Sequence, residues 1–273
     1  MTTDLLTLGF LQRALAAGVL VSLLCGTLSS FVVLRRMAFI GVGISHSAFG
    51  GVALGFLLGV DPLFTGIAFA VLVAVLIEWA STRTRVEEDT AIGILFAASM
   101  ALGLVFLHLS RAYNVDVFGF LFGNILAIGE RQLLQILLVT TVVLALLGFF
   151  FKEIVFLSFD EEMAWVSGVP VKALRYLFLV LMALVVIVSI YLVGIILISA
   201  LLVIPGAIAQ NLSRQFKGMV RMAAGVAVAS TVGGLALSYG VDFPSGATIV
   251  LVLSLIYFLT SLLRPWRRSS ASK

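Results

Sequence analysis

The chain has 273 residues, 62% of them hydrophobic and 11% charged, with a net charge of +4 and a mean hydropathy of +1.23. Soluble domains carry about 25% charged residues, so this balance excludes an ordinary globular core and points to a polytopic helical membrane protein. The positive charge is not clustered as a nucleic-acid surface requires, and its one dense run, 264–273 (RPWRRSSASK), reads as a cytoplasmic tail beside the last span.

In chain order, apolar runs fall at about 14–34, 38–59, 62–80, 90–109, 130–151, 171–191, 193–212, 218–239 and 244–263. Each is close to the roughly 20 residues that cross a bilayer as a helix. The first is too long for the core of a signal peptide and ends in Arg35 and Arg36, so it reads as a retained span. Cys25, the single cysteine, lies inside it and excludes an intrachain disulfide. The stretch 171–210 is about twice one span, so the spacing predicts a fold-back near Tyr191 to Gly194. Segment 115–128 is short for a crossing and reads as interfacial or re-entrant.

Charge sets the expected topology. With nine spans, 115–128 left uncrossed and the N-terminus outside, the cytoplasmic ends hold Arg35, Arg36, Arg83, Arg85, Lys152, Lys172, Arg175, Arg214, Lys217, Arg221, Arg264, Arg267, Arg268 and Lys273. The outer side keeps Arg13, Arg111 and Arg131, a strong positive-inside bias. Eight or ten spans are the alternatives. The whole chain, 1–273, is expected to be one transmembrane domain. No long polar segment offers room for a nucleotide-binding domain, so any energy source is expected in a partner.

The longest inner loop, 152–171, carries a helix signal at about 158–169. Ser158 or Asp160 can cap its start, Glu161 and Glu162 fill its first turn, and Gly168 followed by Pro170 marks its stop. Met163, Trp165 and Val166 give it an apolar side, which suits either a lipid surface or a cytosolic partner. Glu78, Glu87, Glu88 and Asp89, near Arg83 and Arg85, read as a solvated loop face at the inner membrane edge, with Asp89 a possible cap of the fourth helix.

His46 stands alone as an ionisable side chain between Met37 and Gly59, near mid-membrane. A titratable group there is costly unless it faces protein, water or an ion, so it is a functional candidate by default. Three roles fit its chemistry: a structural hydrogen-bonded histidine, a proton relay, or a transition-metal ligand. Gly51, Gly55 and Gly59 repeat every four residues along the same span, a spacing that lets helix backbones approach closely in lipid. His108 reads as an interfacial polar residue, and Ile204-Pro205-Gly206 as a break in the seventh span. No HExxH, GxSxG, Walker lysine loop or pair of intramembrane aspartates occurs, which disfavours an intramembrane hydrolase.

Arg35 to Gly41 (RRMAFIG), Ile44 to Ser47 (ISHS) and Gly51 to Gly55 (GVALG) resemble the second span of the zinc/manganese/iron ABC importer permeases. Glu88 to Ile94, Phe159-Asp160 through Gly168, and Val193-Gly194 through Pro205 agree with the same family, so the resemblance runs from about 10 to 263. It implies an all-α, type II ABC importer-like permease in the bacterial plasma (inner) membrane. It further implies a homodimer that pairs with a cytosolic ATP-binding cassette subunit and an extracytoplasmic solute-binding protein, with no permanent cofactor. By this resemblance His46 becomes the metal ligand, lined by Gly43, Ser45 and Ser47. Phe159, Asp160, Glu161, Glu162, Met163, Trp165 and Gly168 become the helix that docks on the ATPase. The family places an aspartate one turn before the histidine, and this chain has Val42 there. Loss of that carboxylate tilts the expected substrate from manganese toward zinc. A chelated or organic substrate in the same importer class, or an autonomous proton-coupled transporter or channel, are the alternatives.

Overall fold

A computed structural model describes residues 9–83, 87–110 and 128–262. Their regular elements are all helices: α1 (Gly9–Leu34), α2 (Ile40–Leu58), α3 (Pro62–Arg83), α4 (Glu88–Ser110), α5 (Glu130–Phe149), α6 (Phe151–Phe159), α7 (Glu161–Val166), α8 (Val171–Leu201), α9 (Ile204–Leu212), α10 (Phe216–Val241) and α11 (Ser245–Leu262). Among the described residues, nine segments are long and apolar enough to cross a membrane, in register with the nine runs expected from hydropathy. The helical form follows from the solvent: lipid offers no hydrogen-bond partners, so each spanning backbone must satisfy itself internally. The proposed re-entrant piece at 115–128 falls, apart from Ile128, outside the described residues.

α1, α2 and the first part of α8 form the centre, with Phe31, Ile44, Phe178, Val186 and Ile190 wholly buried. Leucine and isoleucine gain little from leaving lipid, so close approach comes from small residues instead. At Gly51, a Cβ atom would stand 2.8 Å from the Thr65 carbonyl oxygen and 2.9 Å from the Gly66 Cα. Glycine there lets α2 lie directly on α3. The long apolar stretch after Val171 breaks at Gly194, whose φ of 78° lies in the left-handed region that glycine tolerates. A second break precedes Pro205, which sits in the first turn of α9, where a proline needs no amide partner.

The structure departs from expectation at 152–159. This segment is not loop but α6, which continues α5 after a bend at Phe150. Ile154 and Leu157 are buried, and Phe151 meets Phe31 edge-on at 6.1 Å. Phe31 in turn meets Phe216 of α10 at 5.0 Å. Such edge-to-face ring contacts are favourable, and they explain why a short polar-flanked segment folds back as helix.

Candidate functional site

His46 lies half-buried on α2, held from two sides. Its Nδ1 is 2.9 Å from the carbonyl oxygen of Val42, one turn earlier. A carbonyl can only accept, so Nδ1–H donates and the Nε2 lone pair is left free. The ring of Phe96 on α4 meets the imidazole edge-on at 5.0 Å. This is the arrangement by which metal-binding histidines are oriented: one nitrogen tied to a carbonyl, the other presented. Val42 therefore lacks a ligating side chain, yet its backbone sets the ring.

The three proposed lining residues are placed differently from one another. Gly43 is buried against Ile92 of α4, in the α2–α4 contact. Ser45 is buried and donates to the Gly41 carbonyl within its own helix. Ser47 is buried too, and its hydroxyl has no hydrogen-bond partner among the described residues. Among the described residues, no group of three or more His, Cys, Asp or Glu side chains could hold a metal ion. His108 is exposed near the end of α4, while Asp116 and Asn124 lie outside the described residues.

The second candidate region is α7. Asp160 caps it, its carboxylate accepting from the Met163 amide at 2.9 Å, while Ser158 donates back to the Ile154 carbonyl. Gly168, with φ of 83°, ends the segment as expected. The helix has one inward residue, Ala164, and an exposed face on which Trp165 and Val166 are each 72% accessible. Met163, Glu161 and Glu162 are exposed beside them. Phe159 contacts Phe216 edge-on at 5.9 Å. A cavity of about 1130 Å³ opens between α7, the end of α3 and the start of α8.

Beside that cavity is a cluster that sequence reading missed. Glu78 is not on a solvated face: it is 1% exposed. Arg175 of α8 pairs through Nε with Glu78 at 2.7 Å, through one terminal nitrogen with Glu88 at 2.8 Å and through the other with Glu161 at 2.9 Å. Nor does Asp89 cap α4; it lies inside the first turn, after Glu88. Arg35 adds a second cation near these acids, its guanidinium 5.2 Å from the Phe178 ring centre. Burial pushes the Arg35 pKa down, and the charge of Glu88 opposes that shift. The available signal was charge alone: three acids and two arginines at or near span ends, in a chain that spends few charges.

Among the described residues, nine apolar spans, a half-buried histidine held from two sides and a short helix with an exposed apolar face define a polytopic membrane protein. The chain belongs to the ABC 3 transport family, whose model matches residues 7–264. It is 37% identical over 262 residues to the manganese transport system membrane protein MntC of Halalkalibacterium halodurans, covering 96% of this chain and 90% of that one. It is 34% identical over 247 residues to the high-affinity zinc uptake system membrane protein ZnuB of Haemophilus influenzae, covering 90% and 95%. Among solved structures, it matches PsaBC from Streptococcus pneumoniae in complex with Fab, at a TM-score of 0.86 and 33% identity, over 98% of each chain.

Proposed function

We propose that the chain is the permease subunit of an ATP-driven importer for a divalent transition metal, with zinc as the favoured substrate. The observation that carries the reading is His46, with Nδ1–H tied to Val42 and Nε2 free inside an otherwise unionisable helix. Neutral imidazole suits zinc, whereas manganese prefers oxygen donors, and no carboxylate stands on the same helix face. The names of the relatives support a metal substrate, manganese and zinc both among them.

Two copies of the chain would each contribute one His46, and the metal would cross at their interface with water completing its shell. The exposed Trp165, Val166 and Met163 of α7 would dock on a cytosolic ATP-binding cassette subunit. An extracytoplasmic solute-binding protein would deliver the ion to the opposite end. This sets the N-terminus outside and the C-terminus in the cytoplasm of a bacterial plasma membrane. Binding at His46 is transient and no cofactor is held permanently, because a transported ion must leave as readily as it enters.

The test is uptake by the purified chain reconstituted in vesicles with its ATPase and binding protein. Zinc accumulation that requires ATP, and exceeds manganese accumulation, is expected. Uptake by the chain without any ATPase subunit would overturn the importer reading and favour a proton-coupled transporter or channel.

A further inference from the structure

Arg175 carries three separate carboxylates on its three guanidinium nitrogens, and each comes from a different element. Glu78 stands near the end of α3, Glu88 opens α4, and Glu161 opens α7. Arginine suits this position because its planar fork offers donors in several fixed directions, where a lysine offers one point charge. The pair with Glu78 is the buried one. The Glu161 carboxylate is about half exposed, so its link to Arg175 is the easiest to make and break.

Glu88 leads directly to the candidate metal site. Residues 88, 92 and 96 recur one turn apart on one face of α4. Along that face Glu88 meets Arg175, Ile92 meets Gly43 of α2, and Phe96 meets His46. The face continues past Ser99, whose carbonyl abuts Gly50, to Gly103, which abuts Phe49. From Glu88 to Phe96 is about 12 Å of rigid helix at 1.5 Å per residue. A displacement of Glu161 can therefore reach the imidazole through one ion-pair junction and two turns of packed helix.

The geometry points to Arg175 as a positioning residue that links α7 to α4, so that movement of the docking helix shifts Phe96 against His46. This rests on the importer reading for its biological meaning. The link itself is a property of the chain. Docking of a partner on α7 pulls Glu161, Arg175 passes the motion to Glu88, and α4 slides along the glycine positions of α2.

Two variants test this without orphaning the buried Glu78. Arg175→Lys keeps a positive charge beside it but cannot span all three carboxylates. Glu88→Gln removes the α4 arm alone, and Glu87→Gln, the exposed neighbour, is the control. In vesicles holding the full complex, the metal imported per ATP hydrolysed should fall about fivefold in Arg175→Lys and Glu88→Gln, and stay at the wild-type value in Glu87→Gln. A purely structural role lowers import and hydrolysis together, so an unchanged ratio in both variants overturns the proposal. Hydrogen exchange on the purified chain gives the second readout. Amides of Met163 to Val166 should exchange about fivefold faster in Arg175→Lys than in wild type or Glu87→Gln. Equal rates throughout overturn the link. Wild-type complex that accumulates no metal with ATP would instead sink the importer reading, while the exchange rates still judge Arg175.

Discussion

The ring of Phe96 meets the ring of His46 edge-on, with centroids 5.0 Å apart and planes inclined by 82°. Together with the bond from Nδ1–H to the Val42 carbonyl, this contact holds the imidazole against two helices at once. Orientation of this kind lets a single side chain act as a ligand, because the free nitrogen points in a defined direction before any ion arrives.

His46→Ala removes that nitrogen. Metal uptake by the assembled complex should fall by at least the ~10-fold that loss of even an outer-shell partner costs a metal site. Thermal unfolding of the chain in detergent should change little, since the histidine is half-buried and its one bond is to its own helix. Radiometal uptake at the wild-type rate would remove His46 from the pathway.

Val42→Asp places a carboxylate one turn before His46, where residues four apart are neighbours on the helix surface. A hard oxygen donor favours manganese over its starting position. The ratio of manganese to zinc uptake should rise severalfold, measured by competition between the two ions in one vesicle preparation. A ratio that does not move would mean substrate choice is made elsewhere.

Trp165→Ala removes a large ring that is 72% exposed on α7. Surface truncations of this kind change stability by about 0.5 kcal/mol or less. Aromatic anchors at interfaces commonly contribute about 2 kcal/mol to binding, or roughly 30-fold in affinity. Affinity for the ATPase subunit should drop on that scale in a pull-down titration while the melting temperature holds. Unchanged affinity would assign the exposed face of α7 to lipid.

Gly51→Val forces a branched side chain into the α2–α3 contact, where a Cβ would stand 2.9 Å from the Gly66 Cα. Overpacking a tight contact costs about 1–3 kcal/mol. The unfolding temperature in detergent should fall clearly. Gly148→Ala has nothing within 4 Å of the added carbon and should be neutral, or stabilising by up to about 1 kcal/mol in a helix interior. Equal melting of both variants would show that α2 and α3 are free to separate.

The nine spans, the break at Gly194, the cap at Asp160 and the stop at Gly168 were legible in the sequence. Each depends on neighbours a few residues away: hydrocarbon thickness sets span length, a left-handed φ calls for glycine, and a capping carboxylate reaches its own next turn. His46 was legible for the same reason, since a lone ionisable group in an apolar run is costly wherever the helix sits.

Tertiary structure decided the rest. Glu78 and Glu88 looked like a solvated edge, as the exposed Glu87 and Asp89 are, because composition cannot show which face of a helix has a neighbour. Arg175 reaches back 97 positions to Glu78, 87 to Glu88 and 14 to Glu161. Only the packing of α3, α4 and α8 brings those charges together. The same holds for α6, helical because Phe151 and Leu157 find partners on α1 and the surrounding helices. Local chemistry told where this chain crosses the membrane and where His46 lies. Contacts between distant segments decided what holds that histidine and which charges gather beside α7, since such contacts depend on burial and direction, which no window of sequence contains.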